Sequence, residues 1–126
     1  MALRIETFRA GSPRKAGEGL RIGTVRLLPR GVPKKEYARR NFFDVWLPTL
    51  APSRELLKAY NDGKLTLKQF FAKYHSEMKR PEARHTIDLL AAVAQKTPIA
   101  VGCYCEDETC CHRSVLIKLI RASRKP

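Results

Sequence analysis

One apolar run near the end of the chain limits the fold more than any other feature. Ile99 to Tyr104 carries no charge, and after a cysteine-rich stretch it is followed by a periodic segment, Val115 to Ile120. A short apolar run bounded by turn signals reads as a buried strand, and the periodic segment reads as one face of a helix. The residues between them form the loop from strand into helix. With Cys103 and His112 at its two ends, this stretch holds all 4 cysteines and one of the 3 histidines of the chain. Open α/β sheets carry their sites beyond the carboxyl ends of the strands, so this loop is where chemistry is expected.

The remaining elements follow from local pattern. Leu3 to Phe8 alternates with period two and predicts a strand, and Ala10 to Gly19, rich in Gly, Ser, Pro and Lys, predicts a flexible basic linker. Ile22 to Leu28 is a second strand, stopped by Pro29-Arg30-Gly31-Val32-Pro33. Asn41 to Leu50 predicts a short strand or packed irregular stretch with Trp46 as a core anchor. Ser53 caps a first helix whose apolar side is Leu56, Leu57 and Tyr60. Thr66 and Gln69 make a capping box for a second helix bearing Phe70, Phe71, Tyr74 and Met78. Pro81 opens a third helix, and the last one gives way at Arg121 to a basic tail. The expected architecture is a single compact α/β domain, a small mixed or mostly parallel sheet flanked by helices with the last strand central. It spans residues 22–120, preceded by an N-terminal strand and linker in 1–21 and followed by the tail 121–126.

A chain of 126 residues buries roughly two thirds of its unfolded surface, enough for a core without disulfides or a metal. No apolar stretch reaches the ~20 residues needed to span a bilayer and no signal-peptide core is visible, so no membrane contact and a cytoplasmic location are expected. There, cysteines serve more readily as free thiols, a redox pair or metal ligands than as staples. Lys and Arg total 25 against 12 Asp and Glu, a net charge of +13. Residues 1–40 carry 11 basic and 3 acidic side chains. That field attracts anions, either a small ligand or a nucleic acid. Aromatic residues hardly interleave with the basic run, Tyr37 alone standing between Lys34 and Arg40, and no zinc-finger or helix-turn-helix pattern is present.

Three chemistries fit the cysteine loop. Cys111, at the amino end of the last helix beside His112 and Arg113, is the favoured thiolate, because unpaired N–H groups and nearby cations lower a thiol pKa; Glu106, Asp107 and Glu108 oppose this. His112 is the candidate base. Arg113 with the helix N–H groups suits an oxyanion or phosphate, although the C-x5-R loop of cysteine phosphatases is absent, Asp107 standing where its cysteine would be. For a metal, a single residue separates Cys103 from Cys105, a closer spacing than paired zinc ligands normally have. Cys105 and Cys110 have a usable C-x4-C spacing, with His75 or His85 as a third ligand; no metal is nonetheless expected. For redox chemistry, Cys103 pairs with Cys111 or Cys105 with Cys110, and spacing does not choose between them.

Arg26-Leu27-Leu28-Pro29-Arg30-Gly31-Val32, Asp44-Val45-Trp46-Leu47, Leu50-Ala51-Pro52-Ser53-x-Glu55-Leu56 and Phe70-x3-Tyr74-x2-Glu77 together resemble the YeaO-like branch of the family of domains of unknown function numbered 488. Cys103-x7-Cys111-His112-Arg113-Ser114 is similar to the Cys...Cys-His-Arg ending of its other branches. The resemblance covers roughly residues 22 to 120. It implies a compact cytoplasmic α/β domain and assigns no reaction. The chain departs from the branch at Val25, usually Asp, and at Leu28, usually Trp, and it adds Cys105 and Cys110.

The combined expectation is a cationic pocket at the C-terminal edge of the sheet that binds a small anionic or phosphate-bearing ligand. Cys111 and His112 are its catalytic candidates, Arg26, Arg30, Cys103 and Arg113 its ligand-binding residues, and no cofactor is expected. The alternatives are a non-catalytic nucleic-acid-associated protein using the basic N-terminal third, and a structural domain with an inert cysteine loop.

Overall fold

In the computed structural model, which describes residues 3–105 and 107–123, the late apolar run forms a strand buried at all 5 of its positions, Ile99–Cys103. Numbered in chain order, the strands are β1 (Ile5–Arg9), β2 (Leu20–Gly23), β3 (Val45–Trp46) and β4 (Ile99–Cys103). They form one sheet of order β1-β4-β2-β3. Every pairing is parallel, with Ile99 opposite both Ile5 and Leu20, and Gly102 opposite both Phe8 and Gly23. Parallel strands in the middle of a sheet are covered on both faces, which explains why β4 has no polar side.

The helices are α1 (Arg54–Asn61), α2 (Leu67–Glu77), α3 (Pro81–Lys96) and α4 (His112–Ser123). Their starts follow the local chemistry. Ser53 Oγ accepts from the Leu56 N–H at 3.1 Å, Thr66 and Gln69 close the capping box, and Pro81 occupies the first turn of α3. Ile5, Ile22, Ile99 and Val101 of the sheet share one core with Leu56, Phe70, Tyr74, Ile87, Leu90, Leu116 and Ile120 of the helices. Positions of opposite parity, Phe8 and Ala100, belong to a second cluster with Val25, Phe43, Cys103 and Cys111, edged by Ala10, Tyr37 and Phe42. Irregular chain, not helix, supplies most of that second layer. Among the described residues no helix is long and apolar enough to cross a membrane.

The second layer corrects the expectation of a mobile linker at Ala10 to Gly19. The Arg21 side chain is 0% exposed and its Nε donates to Glu18 Oε1 at 2.6 Å, Glu18 itself being 2% exposed. Arg21 Nη1 donates to the carbonyls of Ser12 at 2.8 Å and Asn41 at 2.6 Å, and Nη2 to that of Pro13 at 3.1 Å. The guanidinium carbon lies 4.6 Å from the Phe8 ring centroid. Composition alone suggested mobility, but one buried cation gathers the carbonyls and holds the segment down. Gly19 makes the turn into β2 with φ +84, and a Cβ there would stand 2.0 Å from the Pro98 carbonyl oxygen, so no other residue fits.

Three further expectations change. The second strand was expected to run to Leu28 and instead stops at Gly23, opposite Gly102 of β4, which itself ends one residue later; beyond that point no partner strand remains among the described residues. Trp46 is no core anchor: β3 is a two-residue edge strand, and Trp46 is 38% exposed with its indole N–H on the Val25 carbonyl at 2.8 Å. Phe43 and Tyr74 fill the core instead. The last helix continues past Arg121 to Ser123, whose hydroxyl donates to Asp88 Oδ1 at 2.5 Å; the rest of the expected tail lies outside the described residues.

Replacing Arg21 with Met leaves Glu18 charged, buried and alone, which costs about 3–5 kcal/mol. We expect denaturant titration of Arg21→Met to show a loss of that size, and Glu18→Met combined with Arg21→Met to lose less than Arg21→Met alone. Equal losses would mean that the pair is not what holds this layer.

Candidate functional site

The site begins where β4 ends. Cys103 is its last residue, and the chain returns through a short 3-10 turn, Glu108–Cys110, to the start of α4 at His112. Asp107 shapes this return, accepting from the Thr109 N–H at 2.9 Å and the Thr109 hydroxyl at 2.6 Å. The Thr7 hydroxyl of β1 donates to Glu108 Oε1. Cys111 is still extended, at φ −112 and ψ 144, while His112 is already helical. That break in backbone direction is why two adjacent side chains converge when sequence adjacency alone suggests divergence.

The sulfurs of Cys103 and Cys111 are in contact and pair as a disulfide across Cα atoms 7.7 Å apart. Both residues are buried, 3% and 1% exposed. Cys105 and Cys110 are exposed and free. Cys105 lies beyond the end of β4 and is exposed where Cys103 is buried, and of the two pairings left open by spacing, the structure has Cys103 with Cys111. Glu106, one of the acidic residues weighed against a thiolate, lies outside the described residues.

His112 Nε2 lies 2.7 Å from the Thr24 carbonyl oxygen, so it carries the proton and donates to it. Nδ1 is then the unprotonated nitrogen, and it faces Cys111 Sγ at 3.7 Å. Burial pushes the His112 pKa down to about 4; the bond to Thr24 works the other way and Arg113 adds to the lowering. The imidazole is neutral at pH 7. The Tyr74 ring packs edge-on at 5.2 Å.

Arg113 turns back over the end of β4. Its Nη1 donates to the Cys105 carbonyl at 2.8 Å and lies 3.3 Å from Cys103 Sγ. The residue is only 4% exposed, and its Nε is buried with no hydrogen-bond partner among the described residues. Burial lowers its pKa, an effect opposed chiefly by Glu108. The guanidinium thus contacts Cys103, whereas the neighbour of Cys111 is the neutral His112 ring.

The other predicted residues lie elsewhere. Arg26 donates to the carbonyls of Pro48 at 3.1 Å, Ala51 at 3.2 Å and Pro52 at 3.1 Å, closing the turn before α1. Arg30 is exposed, and among the described residues no hydrogen bond joins it to the cysteines. His75 and His85 are exposed on α2 and α3. The soft donors that do converge are Cys103, Cys111 and His112, with ligand atoms all within 4.8 Å of one another. One contributor carried no signal in the sequence: Thr24, which acts through a backbone carbonyl 88 positions from His112.

Exposure predicts a simple labelling pattern. Native protein without reductant takes up two alkyl groups, at Cys105 and Cys110, and after unfolding and reduction it takes up four, as peptide mass spectrometry will read. Rapid native labelling of Cys103 or Cys111 would contradict the pairing.

Comparison with known proteins gives two matches. A model of the family DUF488-N3a, described as the active DUF488-N3 subclade, matches residues 5–124. Protein YeaO of Escherichia coli (strain K12), described as uncharacterized, is 29% identical over 120 residues that cover 95% of this chain and 99% of that one. No solved structure matches the chain.

Proposed function

The chain belongs to the DUF488 family, and from that membership and the geometry around Cys103 we propose a thiol-dependent protein that acts on a small anionic or phosphate-bearing ligand. One observation carries the reading. The Arg113 guanidinium touches Cys103 Sγ at 3.3 Å while its buried Nε has no partner among the described residues. One group thus stabilises a thiolate and retains a donor for an oxyanion. The nucleophile in this reading is Cys103, at the carboxyl end of the central strand, in place of Cys111. Its sulfur lone pair bonds to an electrophilic centre of the ligand, the bond from that centre to the leaving group breaks, and the leaving group departs with the electron pair. Cys111 caps the nucleophile: an external disulfide takes up two electrons and two protons as the Cys103–Cys111 bond forms, and external thiols reverse it. Arg26, engaged by three carbonyls, is left out of the ligand set. Two exposed free thiols suit a reducing compartment, and the cytoplasm is the proposed location.

The test uses a variant with serine at Cys105, Cys110 and Cys111. We expect Cys103 to be alkylated at pH 7 with protection by inorganic phosphate, and Arg113→Gln to slow alkylation by about tenfold and to remove the protection. An alkylation rate indifferent to both phosphate and Arg113 would overturn the reading.

A second reading has its own observation. Lys34, Lys35, Tyr37, Phe43 and Trp46 line a cavity of about 270 Å³, so folding sets Phe43 and Trp46 beside the basic segment that carries Tyr37. Tyr104, from the cysteine loop, donates to the Leu27 carbonyl at 2.9 Å, and burial, with Tyr37, pushes its hydroxyl up to about 12. Stacking surfaces flanked by lysines suit single-stranded nucleic acid. Binding of a single-stranded oligonucleotide should then quench Trp46 fluorescence, weaken steeply with salt, and fall on Lys34→Glu with Lys35→Glu. Absence of quenching at low salt would remove this reading.

A further inference from the structure

We propose that the reduced pair Cys103 and Cys111, together with His112, is a binding site for a thiophilic metal ion, with zinc as the ion. The donor atoms lie within 4.8 Å of one another and all three residues are buried. Two thiolates and an imidazole form a ligand set used by zinc, which takes sulfur at about 2.3 Å and nitrogen at about 2.0–2.1 Å. Tetrahedral angles at those lengths put sulfur and nitrogen about 3.6 Å apart, and Cys111 Sγ stands 3.7 Å from His112 Nδ1. The two sulfurs need to separate to about 3.8 Å. The Cα spacing of 7.7 Å already exceeds the ~4.4–6.8 Å usual for disulfides, so the backbone has room for an ion between them.

Two features outside the ligand set support it. Donation from His112 Nε2 to the Thr24 carbonyl at 2.7 Å aims the Nδ1 lone pair at the cysteines, the support that ligating histidines generally have. Arg113 Nη1 reaches Cys103 Sγ at 3.3 Å, where it disperses thiolate charge. Its unpartnered buried Nε is a donor for an anion on the fourth zinc position, which three protein ligands leave open. The C-x-C spacing that argued against zinc concerns Cys105, which this set does not use. Binding replaces the two thiol protons, so two protons are released for each divalent ion. The inference goes beyond the nucleophile reading and competes with it for the Cys103 sulfur.

The experiment starts from the full chain carrying Cys105→Ser and Cys110→Ser, reduced with a phosphine and freed of metal. Cobalt(II) titration should give thiolate-to-metal charge-transfer absorption saturating at one ion per chain, displaced by zinc, with Cys103 shielded from alkylation once zinc is bound. Adding Cys103→Ser or Cys111→Ser should weaken binding at least about a hundredfold, and His112→Gln about tenfold, each in protein whose circular dichroism shows it folded. If a variant fails to fold, Cys111→Ala takes its place. No charge-transfer band from the folded, reduced protein would overturn the proposal, as would undiminished binding after both Cys103 and Cys111 are replaced. Phosphate-protected alkylation of Cys103 without a cobalt band would sink the metal site alone. A cobalt band without Arg113-dependent alkylation would support the metal site and sink the nucleophile reading.

Discussion

The ion pair between Arg21 and Glu18 sustains half of this molecule. Helices cover one face of the sheet, and on the other there is mostly irregular chain whose carbonyls would be costly to bury unpaired. Arg21, on β2, answers that problem from the sheet outward, meeting the carbonyls of Ser12, Pro13 and Asn41 with one planar cation. Glu18 supplies the opposite charge, and without it the guanidinium would be desolvated uncompensated. Held in this way, the loop layer brings Phe43 and Phe42 over Phe8 and Ala100, and Cys103 and Cys111 sit in the same cluster. The cysteine site therefore rests on a polar clasp as much as on apolar packing.

The site is a meeting of strand ends. β2 and β4 stop within a residue of one another, and the Thr24 N–H and hydroxyl both donate to the Gly102 carbonyl, at 2.9 and 3.1 Å. The Thr24 carbonyl then takes the proton of His112. One residue thus joins the end of β2, the end of β4 and the first turn of α4, which sets where Cys111 and Arg113 lie relative to Cys103. Positioning of this kind gives reactive groups a fixed geometry without devoting side chains to the task.

Much of this was legible. The apolar run became the central strand, Ser53, Thr66 and Pro81 started the helices at which they were expected, and the strand-to-helix loop did gather Cys103, Cys111, His112 and Arg113. Local periodicity and capping need only neighbours in sequence, and those neighbours are visible. What stayed hidden depends on distant partners. Nothing near Arg26 reveals that Pro48, Ala51 and Pro52 will claim it. Likewise Ala10 to Gly19 looks mobile until Arg21 is known to lie beneath it. Carbonyl acceptors are the same at every residue, so a site assembled from them leaves no compositional trace.

The strand order carries a consequence for how the chain is made. β4, the last strand synthesised, lies between β1 and β2, so β1 has no neighbour on the growing polypeptide until residue 103 has left the ribosome. β1 waits unpaired and β2 has only the two-residue β3 beside it while three helices form, and sheet closure becomes a late, long-range event. An emerging chain with exposed strand edges is open to wrong pairing, and the many like charges of its first third, which keep such chains apart, are in place from the start.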